Sequence, residues 1–274
     1  MPSTTPSSST SAGVLFHDDF AAGPGRWQPR PLGGRPAGDG LETTGPEGLV
    51  VVPTATHPDT GEPAFAEPLG PGPDLRWALL VDHTSSAGFP GFDVPGTGAL
   101  QAGDVPGAGD GVGLVVEAEL SVQCFGMGDD AGAEVRHGAA GLVTLDRESG
   151  VVCDVLLTGT AVFAVYERLP RPDVPGAVFS YAVPAGHRAP ERWHRARIAY
   201  EAVGVIRWWV DDRLVLEVDR PGRRRGGEHR QRDNGLADDD AVPRQVVPGL
   251  GLLAGEVRGQ GVRLAARHVT VSHR

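Results

Sequence analysis

Lysine is absent from this 274-residue chain, and all 25 basic side chains are arginine. That excludes Schiff-base chemistry on a lysine amine. With abundant Ala, Gly, Val and Pro, it points to a bacterial genome of high GC content. Only two cysteines occur, Cys124 and Cys153, too few for a disulfide framework. Both sit in apolar, strand-like runs suited to buried free thiols, with one cross-strand disulfide as the alternative. No apolar run approaches the ~20 residues that span a bilayer. The first 13 residues, MPSTTPSSSTSAG, have neither a basic n-region nor an apolar h-region. They read as a disordered tail rather than a secretory signal, and the expected compartment is the cytoplasm.

Basic charge is also in deficit, with 35 acidic residues giving a net charge of −10. Nucleic-acid binding and adsorption to anionic membrane both call for the opposite balance. A small neutral or cationic molecule, as ligand or substrate, is the expected partner, with another protein as the alternative; oligomeric state is not encoded in any visible signal. Helical periodicity is nearly missing, and 40 Gly with 24 Pro would interrupt helices repeatedly.

What is present is strand. About a dozen runs of β-branched and aromatic residues lie between turn formers such as Ser149-Gly150 and Asp211-Asp212. The pattern predicts an all-β, two-sheet antiparallel sandwich over 14–274 as a single domain. Two long irregular stretches interrupt it. Residues 84–111 are rich in Gly and Pro, a length that implies function or disorder. Residues 220–240 carry six Arg followed by mostly acidic residues, five in all. The near-cancelling charges suggest a flexible solvated hairpin, or less strongly a docking site for an anionic partner.

Alternation divides each strand into two faces. In the run 112–125, Val112, Leu114, Val116, Ala118, Leu120, Val122 and Cys124 form a core face, with Glu117, Glu119, Ser121 and Gln123 opposite. Asp154 shares a face with Val152 and Leu156, an uncomfortable place for a charge. The run 161–165 is apolar on both faces and ends in Tyr166-Glu167-Arg168. Arg197, Arg207 and Trp209 oppose core positions in their own strands. If these central strands are neighbours, one sheet face gathers Glu117, Glu119, Asp154 and Glu167 among arginines and rings, a composition suited to a ligand groove. The alternative is a solvated outer face laced with Arg–carboxylate pairs.

Several segments carry a resemblance. Asp18-Asp19-Phe20 with a following Trp27, the run Ile206-Arg207-Trp208-Trp209-Val210-Asp211-Asp212, and the closing run Arg267-His268-Val269-Thr270-Val271 resemble the concanavalin-A-like lectin/glucanase superfamily. In that superfamily the late hairpin often reads Trp-x-Val-Asp-Gly; Asp212 replaces the Gly here. Together with Ala164-Val165-Tyr166-Glu167-Arg168-Leu169, the chain is similar to a bacterial family of that fold without an assigned function. The resemblance implies a concanavalin-like jelly roll and no particular chemistry.

Motif by motif, most chemistry is excluded. Retaining glycosidases of this superfamily carry a further Glu after a pair like Glu117-Ala118-Glu119, but Ser121 and Val122 stand there, so the motif is incomplete and a glycoside hydrolase is kept only as a lesser alternative. No nucleophile elbow, zinc spacing or phosphate loop occurs, and Cys153 has no identifiable His partner. No cofactor or catalytic metal is expected; Asp18 and Asp19 support a structural Ca²⁺ only weakly. Two readings remain. The first is a cofactor-independent cyclase or isomerase of bacterial secondary metabolism, with Glu117, Glu119, Asp154, Tyr166, Glu167 and Arg168 as catalytic candidates. The second is a non-catalytic binding module for carbohydrate or another small ligand, using Arg197, Arg207 and Trp209. An enclosed carboxyl of raised pKa would favour the first, and open carboxylates beside bare rings the second.

Overall fold

A computed structural model describes residues 13–31, 38–66, 75–97, 113–127, 134–170, 176–254 and 259–274. Two antiparallel sheets dominate, as the strand pattern predicts. The eight-stranded sheet runs β16 (Arg213–Val218), β15 (Ile206–Val210), β14 (His194–Tyr200), β9 (Leu114–Phe125), β19 (Gly261–His273), β4 (Gly48–Val52) and β3 (Leu41–Gly45). β1 (Val14–Asp18) also pairs with β19. The nine-stranded sheet runs β17 (Arg230–Asp233), β13 (Phe179–His187), β12 (Ala161–Arg168), β11 (Val151–Leu157), β10 (Ala139–Leu145), β18 (Gln245–Leu253), β7 (Leu75–Val81) and β2 (Trp27–Pro29). There β8 (Phe92–Asp93) adds to β18, and a separate ribbon joins β5 (Ala55–Thr56) to β6 (Pro63–Ala64). This is the concanavalin-like sandwich.

Alternation explains why the sheets stack. Leu114, Val116, Ala118, Leu120 and Val122 of β9 are all fully buried, and they meet Val151, Cys153, Val155 and Leu157 of β11 in one core between the sheets. β11 is buried at every position, the signature of a central strand covered on both faces. Cys124 and Cys153 are free thiols. At the β15–β16 hairpin, Asp211 and Asp212 both adopt positive φ, 50° and 63°. Two consecutive left-handed residues make the tight turn whose twist matches its strands, so the missing Gly is tolerated.

Two expectations need correction and two fall partly beyond view. The stretch 220–240 is no free hairpin: it contributes β17, and its charges pair internally, as detailed below. Glu117 and Glu119 lie in one sheet while Asp154 and Glu167 lie in the other, so no single face gathers the four. The reason is topological, since β9 pairs with β14 and β19, and β11 with β10 and β12. Residues 1–12 of the expected tail and 98–111 of the Gly/Pro-rich loop lie outside the described residues. No helix among the described residues is long and apolar enough to cross a membrane.

Candidate functional site

The nine sequence-predicted site residues fall into three places. On the outer face of the eight-stranded sheet, Glu117 and Arg197 are register partners joined at 2.9 Å through Arg197 Nε. Arg197 also reaches Asp212 at 3.1 Å, and Arg195 reaches the same carboxylate at 2.6 Å. Arg207 pairs with Glu217 at 2.6 Å and with Glu201; Arg267 binds Glu119 at 2.6 Å. The rings are covered by cations, with Arg197 beside Trp209 at 5.9 Å and Arg267 over Trp193 at 4.0 Å. Each carboxylate is tied to an arginine and each ring to a guanidinium. Such a ladder orders a solvated surface and contributes little to stability pair by pair. The Glu117-Ala118-Glu119 pair therefore offers no free nucleophile and acid.

Tyr166 and Arg168 point the other way, into the sandwich, because both neighbour the outward Glu167 in an alternating strand. Tyr166 OH accepts the Gly222 N–H at 2.8 Å and donates to Arg223 O at 3.0 Å; Tyr181 OH donates to Arg225 O at 2.7 Å. Arg168 donates to Gly222 O at 3.1 Å and to the Asp239 carboxylate. Burial pushes the Tyr166 phenol far above its ordinary range. These side chains anchor the segment 219–241, which closes on itself through Arg220–Asp240, Arg223–Asp240, Arg224–Asp233 and Arg230–Asp233 pairs. Opposite charges distributed along one segment thus fold it.

Asp154 and Glu167 remain together, on the outer face of the nine-stranded sheet. Asp154 pairs with Val165 and Val152 with Glu167 across β11 and β12, so the two acids are diagonal neighbours, with roughly 7–8 Å between such positions. Asp154 is only 5% exposed. Leu156, Ala161, Phe163, Val165 and Ala182, all buried, and half-buried Val143 form an apolar cluster on this same face. The backbone N–H of Thr144 donates to Asp154 Oδ1 at 3.2 Å, and Ser180 Oγ donates to Glu167. Burial first, and then the charge of Glu167, push the Asp154 carboxyl well above the usual carboxylate range. Both effects disfavour the ionised form of this carboxyl group.

Inward of this strand pair lies a polar chain that the sequence pattern did not reveal. Thr144 Oγ1 bonds both Cys153 O and Tyr200 OH in the fully buried core. A threonine at the core-facing position two residues after Leu142 is the available signal. Asp18 is likewise occupied, accepting the Phe20 N–H at 2.8 Å and the Trp27 indole N–H at 2.9 Å. Those bonds give the Asp-Phe-Trp signature a structural role, tying the end of β1 to Trp27. No group of three or more His, Cys, Asp and Glu among the described residues could hold a metal ion.

A family model described as a family of unknown function (DUF6081) matches residues 15–274. The chain belongs to that family. None of the curated proteins compared with it matches. Among solved structures it is similar to an alginate lyase from Pseudomonas aeruginosa, with 13% identity over 85% of this chain and 86% of that one and a TM-score of 0.43. The globular domain of T. cruzi calreticulin shares 10% identity over 94% and 87% of the two chains, TM-score 0.44. The carbohydrate recognition domain of Emp47p shares 9% over 97% and 98%, TM-score 0.42. Likenesses this distant say nothing about chemistry.

Proposed function

We propose that this protein is a cofactor-independent enzyme of the isomerase or cyclase type, acting in the bacterial cytoplasm on a small, mostly apolar molecule. Asp154 is its acid–base group. The observation that carries this reading is a carboxyl group buried in an apolar sheet face, with its proton affinity raised by burial and by a neighbouring carboxylate. Such a group can lend a proton to a substrate near neutral pH and recover it afterwards. Glu167, half-buried and steadied by Ser180, is the partner that relays protons between Asp154 and solvent. The surrounding Val143, Phe163 and Val165 supply shape, which is most of what a rearrangement needs. The carbohydrate-binding alternative draws less support, because Trp193 and Trp209 are both covered by arginines.

The test screens small apolar metabolites by methyl NMR against the wild-type protein, with conversion followed by mass spectrometry. Binders are expected to shift Val143, Val165 and Ala182 and to be turned over. Asp154→Asn should stay folded and lose conversion, and Glu167→Gln should slow it. Binders that map to Arg197 and Trp209, or conversion that survives in Asp154→Asn, would overturn the proposal.

A further inference from the structure

β14 meets β9 from Leu114 to Leu120, where His194 is the register partner of Leu120. Beyond that point the connection at 188–193 takes over this edge of β9. The N–H of Glu191 donates to Val122 O at 3.2 Å, and Ser121 Oγ donates to Glu191 O at 2.8 Å. Arg188 completes the closure. Its Nη2 donates to Val122 O at 2.9 Å and to Arg192 O at 3.2 Å, while its Nη1 reaches Thr158 O at 2.6 Å, beside the other sheet. One guanidinium therefore ties both sheets together at this end of the sandwich.

The clamp leaves two things unexplained. Arg188 is only 7% exposed, yet its side-chain partners are all neutral carbonyls, and its buried Nε–H has no partner. A buried cation without a counter-ion is expensive to maintain. His194, 4% exposed, bonds Asp211 Oδ2 through Nδ1 at 2.9 Å. A carboxylate acceptor fixes the proton on Nδ1, which leaves Nε2 a second buried polar atom without a partner. Burial is the largest influence on His194 and lowers its proton affinity. The Asp211 hydrogen bond and charge raise it, and the charges of Arg188 and Arg192 lower it again, so Arg188 and His194 are electrostatically linked.

We infer that Arg188 Nε–H and His194 Nε2 together hold a small inorganic anion of halide size. When the anion enters, His194 takes one proton from solvent and becomes a second donor. Arg188 and the imidazolium then balance Asp211 and the anion. The other charged or titratable groups near the pair are Arg192, which approaches Asp211 at 3.6 Å, and Cys124. Burial pushes the Cys124 thiol up to about 12, so it stays neutral. Because binding takes up a proton, affinity strengthens as pH falls, by at most tenfold per pH unit. A water molecule in the same place would satisfy both atoms without any of this coupling.

The experiment uses the full chain and bromide as the probe. Unfolding temperature is followed while bromide replaces methanesulfonate at constant ionic strength, at about pH 7 and about pH 5.5. A rise that becomes logarithmic in bromide above Kd is expected, with its onset at roughly tenfold or more lower bromide at the lower pH. Anomalous scattering from bromide-grown crystals should place the ion against Arg188 and His194. His194→Gln should keep the fold and lose the pH dependence. Arg188→Met should lose binding, and should it fail to fold, the wild-type and His194→Gln titrations still decide. An unfolding temperature indifferent to bromide at both pH values, or a bromide peak elsewhere with water at this position, would overturn the inference.

Discussion

Replacing Asp154 by Asn separates function from stability. The native carboxyl is buried in apolar surroundings, where burial and then the Glu167 charge keep it protonated well above the usual range. In the unfolded chain the same group ionises near its ordinary value of 3.8. Between those two values the folded state binds the extra proton. Stability from this group is therefore complete below the unfolded pKa and is lost as pH rises toward the folded one. At pH 7 the native protein forgoes about 1.4 kcal/mol for every tenfold gain in proton affinity on folding. Asparagine keeps a carbonyl to accept the Thr144 N–H and has no proton to lose. The variant should be more stable than wild type at pH 7 by about 1.4 kcal/mol for each such factor of ten, and its Tm should rise with it. Thermal unfolding of both proteins from pH 7 down to about pH 4 checks this, and the gain should shrink steadily on the acid side. A variant less stable than wild type at pH 7, or a gain unchanged by acid, would refute the account of Asp154. A stabilised protein that has lost turnover would show the trade-off expected of a strained functional group.

Three further outcomes are expected. Tyr166→Phe strips the acceptor from the Gly222 N–H and should cost about 1–3 kcal/mol, seen as faster tryptic cleavage near Arg223–Arg225. The pairs within 219–241 hold Asp233 and Asp240 down at about 2, mainly through arginine hydrogen bonds. Their contribution is present above the ordinary value of 3.8 and lost as pH falls from there toward about 2, so hydrogen exchange in 220–240 should accelerate in that window and not at pH 5. Arg197→Met breaks only half-buried and exposed pairs and should shift stability by about 1 kcal/mol or less, measured by urea unfolding; a loss of several kcal/mol would show that the ladder matters more than its solvation implies.

How much of the site was legible follows from the range of each signal. Asp154 was visible as a charge on an apolar face, because neighbours at i−2 and i+2 are enough to expose it. Tyr166 and Arg168 were placed beside it only by sequence adjacency, and alternation itself sends them to the opposite side of β12. Glu117 and Glu119 stand on a polar face as read, but the arginines that neutralise them come from β14 and β19, some 80 to 150 residues away along the chain. Arg188 and His194 carried no local signal, since nothing within a few residues shows that both end up buried.

The sequence by itself determined the strands, their inward faces and the sandwich, because alternation and turn chemistry are local properties that each segment carries wherever it sits. Only the tertiary structure decided which strands are neighbours, and with that the separation of Glu117 from Asp154 and the folding of 220–240 onto Tyr166. Strand pairing is a contest among distant segments of similar pattern. Its outcome depends on the packing of the whole core, which no short window of sequence contains.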